Sequence, residues 1–512
     1  MTEILNIIKK YSLGIILSLT AFSCNSFLDV EVIDTVSPDT YYKTTEQMEK
    51  AVVAAYSPLN NFGLYRQFYG VVSDIGTDDL TTLEGRFQGY MTYNIDNTDK
   101  VLFDRGFLVT NDTEMIGGGG IYNSLYEGIM RCNIVLEKLP ASDATGKEQM
   151  EGEVRFLRAL YYQHIVNLWS EGVLVTEENY GSQSHPFIST DEIVPFIEQD
   201  LKTIIEDKLL PWSDESGFAT GRASMEATKA LLARHYLYEK QVAKAEPLLR
   251  EVINRGNYSL IPVDLIWTIE GDNSEEGIFE VQIDDSYGGG NIYFDDNKNS
   301  ACVSIRNTFI GPTTTSAYQN IIPTKDLVQE FEEGDLRKKN FILSDGDSIP
   351  YAEGTVYKGS ATYPYCVLKG IKSGAQANPV IGSGQQTENF PIIRYTDVLL
   401  MHAETVVDSD PQTAMEEINQ VRARAFGYSS VQELTDNGKD VASYMTATGK
   451  SLMEVIKHER RVEFCFEGLR YFDLVRWGDA ASNAIMLDKG WSPALAKHYP
   501  IPLEDINFNN SF

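Results

Sequence analysis

Apolar residues recur at three- and four-residue steps along several long stretches of this chain, the period of an α-helix with one buried face. Met48, Val52, Ala55, Tyr56 and Leu59 form the first stripe, and Thr44 with Gln47 three residues on supplies a capping box before it. Tyr122, Leu125, Ile129, Cys132, Val135 and Leu136 form a second, and Val154, Leu157, Leu160, Tyr161, Ile165 and Leu168 a third. Near the C-terminus, Leu452, Val455, Ile456, Val462, Cys465, Phe466 and Leu469 predict a helix that runs on into an aromatic and charged segment. That segment holds Arg470, Tyr471, Phe472, Asp473, Arg476 and Trp477, and Gly478 stops it. Glu459, Arg460, Arg461, Glu463 and Glu467 lie within the same stripe, close enough to pair along it or with neighbouring helices. They are expected to pack and pair inside a helical core.

One internal pattern goes further than amphipathicity. Leu232-Ala233-x-x-Tyr236, followed by Ala245 and Leu249, has the spacing of a tetratricopeptide unit, although Lys229 and Asn257 replace its first Trp and final Pro. Small residues at 233 and 245 allow two antiparallel helices to approach closely. Weaker versions surround Arg158, Ala159 and Tyr162, and again His402 and Ala403 with Ala414 and Ile418. A stack of such pairs needs three or more units to bury its faces. Repeats are expected at about 44–60, 120–260 and 394–478. Between them, over 262–390, helical periodicity lapses and Gly, Asn, Asp, Thr and Tyr dominate. GIFEVQI (277–283) alternates like a short strand. This interval is too long for a simple loop, so it reads as a loop-rich lobe with short strands laid over the helices. The fold class is therefore mainly α.

The N-terminus follows a different logic. Lys9 and Lys10 precede the apolar run Leu13–Phe22, too short to span a bilayer and suited to a secretory signal. Ala21-Phe22-Ser23-Cys24 resembles a relaxed bacterial lipobox, which makes Cys24 the expected lipidation site and 1–23 a signal peptide. Residues 24–43 read as a lipidated tether broken by Pro38, leaving 44–512 as one domain.

Charge and chemistry narrow the function. With 74 acidic and 43 basic residues the net charge is −31, a surface that repels nucleic acid and anionic headgroups. Contact with a membrane is expected through the lipid anchor only. The five cysteines include no C-x-x-C, and Cys132 and Cys465 fall on apolar positions as buried thiols. Six histidines give no H-x-x-x-H pair, His458-Glu459 lacks a second histidine, and no G-x-S-x-G elbow occurs. His164, on an apolar face, reads as a core histidine. Gly117–Gly120 has no Lys-Ser/Thr after it to cradle phosphate, and calcium has no spaced ligand motif. No catalytic residue, cofactor or metal is assigned.

The run ERRVEFCFEGLRYFDLVRWGD (459–479), followed by HYPIPLEDINFNN, resembles the C-terminal signature of the SusD/RagB family of outer-membrane nutrient-binding lipoproteins. FLDVEVIDTVSPDTYY after Cys24, the helix exit at Trp169, GIFEVQI after Trp267, and DVLLMHAETVV at 397–407 resemble it as well. The resemblance implies a SusD-like fold and a protein that captures oligosaccharides, or in the RagB branch peptides, at the cell exterior. It also implies delivery to a SusC-like TonB-dependent outer-membrane transporter. A surface glycoside hydrolase and a helical adaptor binding only proteins are the alternatives from other classes. Sugars bind by stacking on flat aromatic rings with hydroxyls met by amides, carboxylates and Arg, and loops are where such groups are displayed. Two stretches have that composition: 85–94, near Asp78 and Asp79, with Arg86, Tyr90 and Tyr93; and 284–297, with Tyr287, Asn291 and Tyr293. These eight residues are the candidate ligand contacts.

Overall fold

The computed structural model describes residues 41–82, 120–283, 321–369 and 388–493, apart from short gaps, together with 302–303, 385–386 and 501. Helix α1 (Thr45–Tyr56) opens with the expected capping box, the Thr44 hydroxyl accepting from the Gln47 backbone. Helices α2 (Ile121–Lys138) and α3 (Lys147–Leu168) pack on it and on each other. Gly128 makes the α2–α3 approach possible, because a Cβ there would stand 2.3 Å from the Tyr161 ring. Helix α4 (Thr190–Glu206) lies against α3 and against α5 (Met225–Tyr238). Only three residues separate α5 from α6 (Val242–Arg255), so the two fold back as an antiparallel pair.

The tetratricopeptide spacing is borne out in that pair, where Leu232, Ala233, Tyr236, Ala245 and Leu249 are all buried. Its echoes lie on α3 and on the helix pair Tyr395–Val406 and Pro411–Ala425, with Ala159, Tyr162, Ala403, Ala414 and Ile418 fully buried.

The expected lobe contains more helix than periodicity showed. Helices α7 (Lys325–Glu330) and α8 (Leu336–Phe341) are six residues each, too short to display a repeat, though Thr324 and Asp335 cap them. Among the described residues, in the lobe and outside it, strands occur as two-stranded antiparallel ladders. Strand β1 (Leu80–Thr82) pairs with β6 (Ile321–Pro323), and β2 (Glu171–Val173) with β3 (Phe187–Ser189). The expected strand β4 (Gly277–Val281) pairs with β12 (Phe390–Arg394), and β5 (Cys302–Val303) with β11 (Gln385–Gln386). Strand β7 (Ile342–Ser344) pairs with β10 (Tyr365–Val367), and β8 (Ser348–Ala352) with β9 (Thr355–Lys358).

Helix resumes with α9 (Tyr395–Val406) and α10 (Pro411–Ala425), then α11 (Val431–Asp436), α12 (Val441–Thr448) and α13 (Leu452–Phe464). Helix α6 packs on α9. The two helical halves are thus one continuous stack, and the lobe is an insertion between neighbouring layers.

The C-terminal stripe is corrected in one respect. It is two helices, α13 and α14 (Arg470–Trp477), broken at Phe466 and Gly468, whose φ angles are +67° and +81°. The Lys369 ammonium donates to the carbonyls of Glu463 and Cys465 (2.6 and 3.2 Å), and Gly468 N–H donates to Asp74 Oδ2 (3.1 Å). Partners from other segments take the backbone groups that a continuous helix would have paired internally. Gly478 ends α14 as expected.

Candidate functional site

The two stretches expected to touch ligand grow from roots that the structure places, while Arg86, Tyr90, Tyr93, Tyr287, Asn291 and Tyr293 lie outside the described residues, as does Cys24. The first root is the segment 73–82. Here the expectation for Asp78 and Asp79 is corrected, because both are buried, at 2% and 0% exposure. Arg470 donates through Nε and Nη2 to the two oxygens of Asp78 (2.9 and 2.7 Å), a bidentate fork, and Asn483 Nδ2 adds a third bond at 2.8 Å. Arg461 Nε donates to Asp79 Oδ1 at 2.8 Å. Burial opposes ionisation of Asp78, but Arg470 and Arg461 outweigh it and hold its carboxyl well below the usual range. Asp79, deeper still, is pushed up by burial despite Arg461. These carboxylates anchor the root and present nothing to a ligand.

Backbone groups complete the anchor. Thr324 donates its hydroxyl to Asp78 O (2.7 Å) and its N–H to Asp79 O (2.8 Å), and the Lys489 ammonium donates to Leu80 O (2.7 Å).

The second root is the end of β4. Ile283 N–H donates to Asn389 Oδ1 (2.9 Å), Asn389 Nδ2 to Glu280 Oε2 (2.8 Å), and Asn389 N–H to Asp272 Oδ1 (3.0 Å). Asn273 and Gln282 exchange reciprocal amide bonds, both 2.9 Å. Burial, with Glu280 and Glu388 nearby, raises the Asp272 carboxyl to about 7. Beside this root is a cavity of about 280 Å³ whose lining includes Phe218, Arg222, Asn257, Tyr258 and Asn273. Its planar donors are engaged within the protein, Arg222 with Glu153 (2.7 Å) and Glu49 (3.2 Å) and Asn257 with Glu226 (2.9 Å), so they frame the cavity. Sequence reading missed these residues; Phe218 and Arg222 carried one signal, the turn-rich composition of 212–222 between two helices.

An aromatic wall joins the roots. Phe390 on β12 meets Tyr65 (centroids 5.0 Å apart) and Trp267 edge-on (5.0 Å), Tyr65 meets Tyr69 (4.9 Å), and Tyr69 stacks on Phe472 of α14 (6.0 Å). Trp267 is buried in this packing, and Trp169 is fully buried. His164 closes the wall, its Nε2 2.7 Å from the Tyr65 hydroxyl, and burial lowers its imidazole to about 3. It is a core histidine.

The charged ladder of α13 pairs outward to other elements. Glu463 accepts from Arg337 (3.2 Å), Arg394 (3.1 Å) and Arg424 (2.8 Å), and Glu467 from Arg394 (2.8 Å). Arg460 bridges Asp397 (2.7 Å) and Asp473 (2.9 Å). Neighbouring guanidiniums overcome burial and hold Glu459 at about 2. All of these side chains are buried, so the ladder is structural, as expected. The thiols of Cys132, Cys366 and Cys465 are free and buried, and burial lifts that of Cys366 to about 11.

His458, Glu459 and Glu332 are close enough together to consider a metal ion. A cation already stands among them: Arg422 Nη1 lies 2.8 Å from Glu332 Oε1 and donates to Glu459. His458 Nδ1 lies 2.5 Å from Glu330, and against the pull of burial, Glu330, Glu332 and Glu459 raise its imidazole above the ordinary value. None of the described helices is long and apolar enough to cross a membrane.

Two family models match this chain. One, described as the SusD family, covers residues 344–499, and the other, described as starch-binding associating with outer membrane, covers 109–237. A SusD-like protein of Formosa agariphila is 26% identical over 98% of this chain and 97% of its own. The starch-binding protein SusD of Bacteroides thetaiotaomicron is 24% identical over 76% of this chain and 77% of its own. Among solved structures, a laminarin-binding SusD-like protein is 26% identical, covering 91% of this chain and 98% of that one with a TM-score of 0.69.

Proposed function

Because the chain belongs to the SusD family, we propose that it is a cell-surface glycan-binding lipoprotein that hands captured oligosaccharides to a partner TonB-dependent outer-membrane transporter. The observation that carries glycan capture is the near full-length likeness to a protein that binds laminarin. The geometry supports the same reading. Two aromatic and amide-bearing stretches grow from roots locked by buried ion pairs and amide bonds, on a scaffold whose charged residues are committed to packing. Such a frame fixes the points at which the two stretches leave the fold.

The reading has the protein bind without catalysis. It is anchored through lipidated Cys24 after removal of 1–23, with residues 24–43 as tether and 44–512 as the binding domain. The Asp78–Asp79 site is withdrawn, and Arg86, Tyr90, Tyr93, Tyr287, Asn291 and Tyr293 stay as proposed contacts.

The test is a glycan panel that includes laminarin and starch oligosaccharides, with peptides as a second arm. Retention of a glycan that is recovered intact supports the proposal. Retention of peptides alone, or release of shortened glycan, overturns it. Transporter delivery is checked by detergent co-purification from native membranes, where repeated isolation of this protein without a transporter removes that part.

A further inference from the structure

His458 of α13 faces the lobe helix α7, where the lobe meets the helical stack. Its ring is 3% exposed and stacks on Tyr444 of α12, with centroids 4.9 Å apart. Both ring nitrogens look at carboxylates. Nδ1 lies 2.5 Å from Glu330 Oε1 at the end of α7, while Nε2 has Glu332 Oε1 at 3.6 Å and Glu459 Oε1 at 3.8 Å. An ionised carboxylate only accepts, so Nδ1 carries a proton. A lone pair on Nε2 would face two more carboxylate oxygens, which favours a second proton there against the cost of burial.

The cations around this cluster leave it one charge short. Arg422 of α10 lies 2.8 Å from Glu332 and donates to Glu459, and Lys450, just after α12, meets Glu330 (3.3 Å) and the Tyr444 hydroxyl (3.2 Å). Arg337 of α8 reaches Glu459 (2.9 Å) but is forked to Asp335, which offsets it. On α9, Asp397 and Glu404 are taken by Arg460 and Arg476, and His402 by Glu417. Glu330, Glu332 and Glu459 are thus met by Arg422 and Lys450, and an imidazolium at 458 completes the balance.

What the pairing holds is α7. Thr324, which caps that helix, donates to the carbonyls of Asp78 and Asp79, so α7 is continuous with the anchor of the first root. The side chains of Glu330 and Glu332 are 25% and 16% exposed, so water can take the place of the imidazolium at this end of α7. We propose that His458 is a protonation-operated latch. As imidazolium it clamps the C-terminal end of α7, and with it the first root, to the helical stack, and loss of its proton releases that end. The fold favours the charged ring, so the latch contributes fully below the ordinary histidine value of about 6.5 and is lost as pH rises through the higher folded value. It is closed in mildly acidic conditions and opens toward alkaline ones.

The experiment is a pH titration of the full chain carrying isotope-labelled histidine, followed by NMR, with the His458 signal assigned by its absence in His458→Gln or its displacement in Glu330→Gln. Its midpoint should lie above that of an ordinary histidine and fall in Glu330→Gln, a partly exposed change. Hydrogen exchange of peptides covering 325–332, corrected for the intrinsic rate, should speed up at least threefold from about pH 6 to about pH 9, while exchange over α5 and α6 stays level. The rise should be smaller in Glu330→Gln, and in His458→Gln the segment should exchange fast at both pH values. A His458 midpoint at or below the ordinary value, level exchange at 325–332 in the parent, or the full pH-dependent rise retained in either variant overturns the latch.

Discussion

Replacing Arg461 with Met isolates the anchor of the first root. The side chain is 9% exposed, and its Nε–Oδ1 bond is the close ionic contact of Asp79, the next guanidinium being Arg470 at 3.9 Å. Asp78 keeps its fork to Arg470 and its bond from Asn483, so one buried carboxylate is stranded while the other is not. Removing one partner of a buried pair costs about 3–5 kcal/mol. For a domain of this size the entropy of unfolding is roughly 1 kcal/mol per kelvin, so Tm should fall by about 3–5 °C. The stranded Asp79 relieves its burial by taking up a proton, which raises its folded pKa further above the unfolded value. A carboxyl shifted upward contributes stability below its unfolded pKa that is lost as pH rises through the folded one. The defect should therefore be larger at pH 8 than at pH 5. Adding Asp79→Asn should recover more than half of the loss, since a neutral amide tolerates the site. Melting within 1 °C of the parent, or no recovery on adding Asp79→Asn, would refute the assignment of these residues as anchors.

Ala245→Leu overpacks the α5–α6 contact, where Ala233 and Ala245 are both fully buried, and should cost about 1–3 kcal/mol; an unchanged denaturation midpoint would contradict the close approach. Asp272, raised to about 7 by burial, binds a proton in the folded state that the unfolded chain has released, so stability falls as pH rises from about 4 through 7. Asp272→Asn keeps an acceptor for Asn389 N–H and should flatten the Tm–pH curve over that window; superimposable curves for parent and variant would count against it. Alanine at Tyr287 and Tyr293 together should weaken glycan retention at least tenfold with little change in Tm, and unaltered affinity would remove the second stretch from the site. Cys24→Ala should abolish acyl labelling and release the protein from the membrane fraction, and persistence of both would dismiss the lipid anchor.

The helical scaffold was legible in the sequence because its determinants are local. Apolar stripes at three- and four-residue steps, the Thr44 capping box, the small residues at 233 and 245 and the stop at Gly478 each act within a turn or two of the chain. The six-residue helices α7 and α8 escaped because a period cannot show itself in so few residues. The site was half legible. Composition located the two stretches, yet it also drew in Asp78 and Asp79, whose partners Arg461 and Arg470 lie 382 and 392 residues away. An acidic pair beside an aromatic loop looks the same in sequence whether it faces solvent or a buried guanidinium. The break at Phe466 was invisible for the same reason, since the side-chain pattern fits an unbroken helix and only Lys369 and Asp74, arriving from elsewhere, claim its backbone groups. Charges and backbone polar groups take whichever partner the packed chain brings within about 3 Å, and that choice is made by tertiary structure alone.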